Sequence, residues 1–87
     1  MSDTKLTVEV VSPEKRVWSG EANSVSARTM DGDIGILPNH IPLLGILVPG
    51  LVTIHATDGS TPDFNMAGGF LFVDKNRVSI LGEESAK

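Results

Sequence analysis

Residues that break helices recur along almost the whole chain. Nine glycines and five prolines fall among 87 residues. Proline inside a helix costs about 3 kcal/mol, and glycine about 1 kcal/mol, relative to alanine. Helices of ordinary length are therefore excluded between them. The breakers are Pro13, Gly20, Gly32, Gly35, Pro38, Pro42, Gly45, Pro49, Gly50, Gly59, Pro62, Gly68, Gly69 and Gly82.

Between the breakers, apolar residues alternate with polar ones. Leu6, Val8 and Val10 share one parity, and the runs 52–56 and 78–80 repeat the pattern. A period of two predicts half-buried strands. Turn residues separate them: Asp58-Gly59, a type II signature at Pro49-Gly50, and a polar tip over 74–76. The pattern predicts an all-β domain, either a β-sandwich or a flattened barrel.

Charge and composition exclude several functions. The net charge is −4, and the seven basic residues are scattered, which argues against nucleic acid. No cysteine is present, so disulfides and thiolate sites are excluded. The apolar run 41–48 is shorter than the roughly 20 residues that span a bilayer, and the first residues lack the pattern of a signal peptide. We therefore expect membrane association only through a partner.

The run Ile41–Val48 is apolar at both parities, whereas an exposed sheet needs apolar residues at one parity alone. Two interpretations are open. Both faces of this strand are covered within the domain, or one face is covered by another subunit.

No segment predicts a catalytic or metal site. Asp31 and Asp33 flank a glycine, but the further ligands of a calcium loop are missing, so a hairpin with an acidic tip is favoured. His40 and His55 lack the spacing of zinc ligands, and His55 is expected to face solvent. Gly68-Gly69 precedes a strand rather than a helix, which favours close packing or a bulge over a phosphate loop. We expect no enzyme activity, cofactor, metal or small-molecule substrate.

Several segments in order resemble one family, the epsilon subunits of F-type ATP synthases, in their N-terminal β-sandwich domain. The resemblance covers residues from about Leu6 to Leu81. It rests on Val10-Val11-Ser12-Pro13-Glu14, Trp18-Ser19-Gly20, Asp31-Gly32-Asp33-Ile34-Gly35-Ile36-Leu37-Pro38, His40-Ile41-Pro42-Leu43-Leu44, Pro49-Gly50 and Gly68-Gly69-Phe70-Leu71.

The resemblance implies a flattened sandwich of about ten short strands in two sheets over residues 1–82, with a polar tail over 83–87. It implies a non-catalytic central-stalk subunit that couples proton-driven rotation to ATP synthesis. The implied partners are the gamma subunit and the c-ring. The c-ring-facing residues would be Met30, Asp31, Gly32, Asp33 and Ile34, and the gamma-binding residues would be His40, Ile41, Pro42, Leu43 and Leu44.

The implied location is peripheral to an energy-transducing membrane, on the cytoplasmic side in a bacterium or the stromal side of a thylakoid. Family members typically continue into a pair of inhibitory C-terminal helices. This sequence ends at Lys87, so inhibition through those helices is not expected.

Three alternatives remain. A lipoyl or biotinyl carrier domain would carry its cofactor on Lys75, at the tip after Val73-Asp74, but the sequence around Lys75 lacks the expected symmetric hydrophobic repeat. An independent enzyme would need an acid–base pair or nucleophile that is not recognisable here. A generic binding sandwich with other partners would share the fold alone.

Overall fold

The computed structural model describes residues 4–84, and all of its regular secondary structure is β-strand. The first three residues and the end of the tail, 85–87, lie outside the described residues. In chain order the strands are β1 (Leu6–Val11), β2 (Arg16–Thr29), β3 (Gly32–Ile36), β4 (Leu43–Leu47), β5 (Gly50–Ala56), β6 (Asp63–Asp74) and β7 (Arg77–Glu84).

Two long strands pass through both layers of the sandwich. Strand β2 has 14 residues, and its first half pairs with β1 while its second half pairs with β3 and β5. Strand β6 has 12 residues; it pairs with β5 at its start and with β4 further on. The first layer is thus β3, late β2, β5 and early β6. The second layer is early β2, β1, β7, late β6 and β4.

The all-β sandwich predicted from the sequence is confirmed, with a different division into strands. Seven strands are present among residues 4–84, rather than about ten. The number differs because β2 and β6 each run unbroken between layers and so count once, although they contribute to both.

One hydrophobic core lies between the layers. Most of the core side chains come from β1, β5, late β6 and β7. In each of these strands every second residue faces inward, as the period of two requires. These residues are almost fully buried: Leu6, Val8, Val10, Val52, Ile54, Leu71, Val73, Val78 and Ile80. The molecule measures 41 × 26 × 19 Å, which is the flattened shape of two packed sheets.

The crossing of β6 between layers depends on Gly68-Gly69. Both residues have positive φ, 138° and 145°. The pairing with β7 shifts register between Met66 and Gly68, which marks a bulge. A Cβ on Gly69 would collide with the Leu81 carbonyl oxygen. The interpretation of this pair as close packing with a bulge is therefore confirmed.

Two local expectations differ from the structure. Pro49-Gly50 is not a type II turn, because Gly50 lacks the positive φ that such a turn needs and instead begins β5 opposite Met66. Strand β7 runs through Glu84, two residues into the segment assigned to the tail. Glu83 and Glu84 extend it because they still pair with β6.

Candidate docking surface

The outer side of the second layer carries a continuous row of large apolar side chains. Cross-strand pairing places Leu44 opposite Phe72 and Ile46 opposite Phe70, and Phe70 is in turn opposite Leu81. The rings of Phe70 and Phe72 lie 6.5 Å apart. We call Leu44, Ile46, Phe70, Phe72 and Leu81 the apolar face.

These five side chains are between 36% and 63% exposed. Scattered apolar residues are normal on a protein surface, but a contiguous group on three adjacent strands is typical of an interaction site. Within residues 4–84 nothing covers this face. Of the two interpretations of the run 41–48, the one in which the domain itself covers both faces is wrong.

A loop over residues 37–42 joins β3 to β4 at the end of the apolar face; we call it the docking loop. Its apolar residues Leu37 and Ile41 are 63% and 74% exposed. The His40 Nδ1 atom lies 2.6 Å from the Ile41 carbonyl oxygen. The His40 backbone N–H donates to the Leu37 carbonyl at 3.2 Å, which closes a turn inside the loop. The loop therefore presents apolar side chains from a hydrogen-bonded backbone.

The residues predicted to bind gamma differ in whether their side chains face outward or toward the core. Ile41, Pro42 and Leu44 are exposed, and His40 is half-buried. Leu43 is half-buried and packs against the core, because it occupies the inward parity of β4. Ile41 and Pro42 lead directly into β4, and Leu44 lies on it as part of the apolar face. Leu43 packs on the opposite side of β4, against the core.

Sequence reasoning missed four members of the apolar face: Ile46, Phe70, Phe72 and Leu81. A signal was available for three of them, and Ile46 lies within the run Ile41–Val48 noted above. The run Phe70–Val73 is apolar at both parities, just as 41–48 is. Because β4 and β6 pair side by side, the outward-facing side chains of the two strands form one surface.

The residues predicted to face the c-ring form the hairpin between β2 and β3. Thr29 pairs with Gly32 across a turn of Met30 and Asp31. The buried Thr29 hydroxyl fixes this turn, accepting from the Asp31 N–H at 3.1 Å and donating to the Gly32 carbonyl at 2.9 Å. Gly32 has a φ of 115°, which a side chain would disfavour.

The two acidic residues of this hairpin differ. Asp33 accepts from the Arg28 Nε at 3.1 Å across the strand pair, so its charge is partly neutralised. In the described part of the chain, Asp31 makes no ion pair and is exposed. Met30 is exposed beside it, whereas Ile34 packs against the core. The tip therefore presents one unpaired carboxylate and one methionine.

The remaining candidates are separate. His55 faces solvent from β5, as expected from its parity. Over residues 4–84, no three His, Cys, Asp or Glu side chains lie together as metal ligands would. Over the same range, no helix is long and apolar enough to cross a membrane.

Comparison with known proteins identifies the family. The family described as "ATP synthase, Delta/Epsilon chain, beta-sandwich domain" matches residues 5–86. The chain belongs to this family. The resemblance stated from the sequence motifs is thereby confirmed.

Curated relatives carry the name ATP synthase epsilon chain. That of Micrococcus luteus is 51% identical over 76 residues, which are 87% of this chain and 84% of the relative. That of Frankia casuarinae is 50% identical over 78 residues, covering 90% and 92%. The match to the Streptomyces avermitilis protein, 49% identical, covers 91% of this chain but 64% of the relative.

Solved structures share the fold. A chain of the Euglena gracilis mitochondrial ATP synthase, solved as OSCP/F1/c-ring, superposes with a TM-score of 0.88 at 19% identity, covering 98% of this chain and 55% of that one. A chain of the Tetrahymena thermophila mitochondrial ATP synthase central stalk/c-ring gives 0.75 at 23% identity, covering 95% and 66%. At these identities the likeness bears on the fold alone.

Proposed function

We propose that this chain is a non-catalytic epsilon subunit of the central stalk of a proton-translocating F-type ATP synthase. It docks on the gamma subunit and the c-ring and helps to couple proton-driven rotation to ATP synthesis. Support comes from the family and from relatives near 50% identity that are named ATP synthase epsilon chain. The relatives themselves come from bacteria, which supports a bacterial membrane complex.

The observation that carries the docking role is the apolar face. Its five side chains lie on β4, β6 and β7, and the docking loop, with its exposed Ile41, leads directly into β4. The buried centre of an interface is enriched in aromatic side chains, and a few residues there carry most of the binding free energy. We assign this face, which includes Leu44, to gamma, together with His40, Ile41 and Pro42 of the docking loop.

The acidic hairpin is assigned to the polar loops of the c-ring. Asp31 is the member that offers an unpaired charge, and Met30 offers an adaptable apolar contact. Asp33 is engaged with Arg28 across the strand pair and therefore offers less free charge to a partner. Charged rim contacts tune fit and association rate more than affinity, so Asp31 orients the subunit rather than anchoring it.

The fold suits transmission of torque. Each proton that crosses 100 mV supplies about 2.3 kcal/mol, and this energy must pass through the joint between ring and stalk. A domain packed to crystal-like density deforms little under load. One core shared by both layers and two strands that run unbroken between them give the domain this rigidity.

The docking role is tested with two matched variants, each introducing one carboxylate. Leu44→Asp alters the apolar face, where the side chain is 63% exposed, and Leu51→Asp alters the outer side of the first layer, where it is 56% exposed. We expect Leu44→Asp to weaken binding to cognate gamma about 30-fold or more, because a buried, unpaired carboxylate disrupts an apolar contact. Titration calorimetry measures the affinity.

Leu51→Asp should bind gamma like the wild type, and circular dichroism should show that both variants are folded. Equal weakening by both variants would place gamma elsewhere. A folded wild type that does not bind gamma would overturn the proposed function and leave the generic binding sandwich in its place.

The acidic hairpin is tested by charge reversal. Asp31→Lys should weaken association with the c-ring by about 1.4- to fivefold, since an exposed ion pair contributes about 0.2–1 kcal/mol. The matched control is Asp63→Lys, an exposed aspartate at the start of β6 in the first layer. ATP-driven proton pumping by the reassembled enzyme measures coupling. Unchanged pumping with Asp31→Lys at low ionic strength would remove the hairpin from the c-ring contact.

The subunit is a peripheral component of the membrane complex. Its assignment to the cytoplasmic side of a bacterial membrane is part of the proposal, with the stromal side of a thylakoid as the alternative. Protease should reach the chain in inside-out bacterial vesicles and not in right-side-out ones; the reverse result would contradict the assignment.

A further inference from the structure

Two asparagines far apart in the sequence tie the docking loop to another hairpin. The Asn39 backbone N–H donates to the Asn76 side-chain oxygen at 2.6 Å. The Asn76 side-chain nitrogen donates back to the Asn39 side-chain oxygen at 3.3 Å. Asn39 lies in the docking loop, and Asn76 lies at the tip of the β6–β7 hairpin, 37 residues later.

The hairpin turn alone does not require this side chain. Lys75 and Asn76 have φ values of 50° and 63°, the geometry of a two-residue turn with both φ positive. Glycine satisfies the second position of such a turn at no steric cost. The amide of Asn76 is therefore free to serve the contact with Asn39.

Asn76 is itself anchored to the second layer. Its carbonyl oxygen accepts from the Thr7 N–H at the start of β1, at 2.8 Å. The next residue, Arg77, begins β7 opposite Thr7. The docking loop is thus fastened to the layer that carries the apolar face.

We propose that Asn76 is a positioning residue for docking: it holds the β3–β4 loop in the conformation that gamma binds. The inference rests on the proposed function and deepens it. Without the Asn39–Asn76 hydrogen bonds, the loop must become ordered when the complex forms. The conformational entropy lost in that ordering then lowers the affinity. Asn76 itself lies at the hairpin tip and is not assigned to the interface.

The test uses Asn76→Gly and the matched control Lys75→Gly. Both variants place glycine at a positive-φ position of the same turn, but Asn76→Gly alone removes the amide. The amide hydrogen-exchange rate of Asn39 in the free chain measures directly how well the docking loop is held. We expect the Asn39 amide to exchange about two- to tenfold faster in Asn76→Gly, the range implied by the net contribution of one hydrogen bond. The Lys75→Gly control should match the wild type.

Binding to cognate gamma is the second measurement. Asn76→Gly should raise Kd by about two- to tenfold, while its melting temperature stays close to that of Lys75→Gly. Asn76→Asp keeps the oxygen that accepts from the Asn39 N–H and loses the returning donor. It should restore most of the protection at Asn39, which a merely structural role of the turn would not predict.

The outcomes separate this inference from the proposed function. If the wild type binds gamma and Asn76→Gly binds equally well, the inference is wrong and the function stands. Unchanged exchange at Asn39 in Asn76→Gly also overturns it, because the amide then does not hold the loop. If the wild type does not bind gamma, the proposed function fails and the docking role of Asn76 fails with it, whatever exchange shows.

Discussion

Strand β5 and the late part of β6 both turn apolar side chains toward the core, but the side chains that they turn outward differ. In β5, Val52 and Ile54 are buried, and the outward-facing side chains that follow Leu51 are polar, namely Thr53 and His55. In residues 70–73 of β6, the inward Leu71 and Val73 are likewise buried. Their outward neighbours, however, are two exposed phenylalanines.

The difference separates what the fold needs from what function needs. Apolar side chains on one side of a strand are sufficient for a two-layer core, as residues 52–55 of β5 show. The phenylalanines of β6 contribute little to that core, and exposed aromatic side chains favour aggregation. The two outward phenylalanines of β6 are therefore the basis of the proposed contact with a partner, whereas β5 carries a single large apolar side chain on its outward side, Leu51.

Truncating a core-facing side chain should cause the largest loss of stability, and the loss should be similar in the two strands. We expect Ile54→Ala and Leu71→Ala each to lower the free energy of unfolding by about 2–5 kcal/mol, the usual cost of a large-to-alanine change in a core. Both side chains are fully buried, at 0% exposure. Urea denaturation followed by Trp18 fluorescence measures the loss.

Changing an outward-facing side chain of β6 should affect stability much less than changing a core-facing one. Phe72→Thr gives β6 the outward pattern of β5, and it should change the free energy of unfolding by less than about 1 kcal/mol, as surface substitutions do. Binding of a hydrophobic dye should fall in this variant. A loss of stability as large as that of Leu71→Ala would mean that the apolar face belongs to the fold, and the comparison would collapse.

The fold could be predicted from local sequence because its determinants are local. The period of two in β1, β5 and β7 is visible in single runs of residues. The continuity of β2 and β6 was not visible. Glycines at 20, 68 and 69 interrupt the pattern, yet the strands continue through them. Gly20 makes room for the ring of Trp18, which lies over it.

The docking surface was only partly predictable, because it depends on which strands are neighbours. The run at 41–48 stood out alone, while the run at 70–73 had to be placed beside it by pairing before one surface emerged. The tie between Asn39 and Asn76 spans 37 residues and follows no period. Contacts of this kind arise from the tertiary fold and leave no local signal.

The turns that follow the two strands extend the comparison. The turn after β6 carries Asn76 and reaches across to the docking loop. In the turn after β5 the side-chain bonds are local: the Asp58 carboxylate accepts from the Ser60 hydroxyl at 2.6 Å and from the Ser60 N–H at 2.8 Å. The Asn76 side chain connects distant segments, whereas the Asp58 side chain bonds only within its own turn.

The smallest effect should therefore come from the turn after β5. The Ser60 hydroxyl, followed by the Ser60 N–H, holds the pKa of Asp58 below its ordinary value. Because the folded-state pKa is depressed, the stabilisation is complete above the unfolded pKa, about 3.9, and is lost as pH falls through the folded value. Ser60→Ala should raise the pKa of Asp58 and lessen the fall in melting temperature below about pH 4.

Carboxyl-carbon NMR titration measures this pKa directly, and thermal melts across the same pH range measure its consequence. Asp58 is exposed, so the change in melting temperature should be slight. Gamma affinity and exchange at Asn39 should not change in Ser60→Ala, since the Asp58–Ser60 bonds are internal to this turn. A change in either would show that the turn after β5 also communicates with the docking loop, and the contrast between the two turns would be lost.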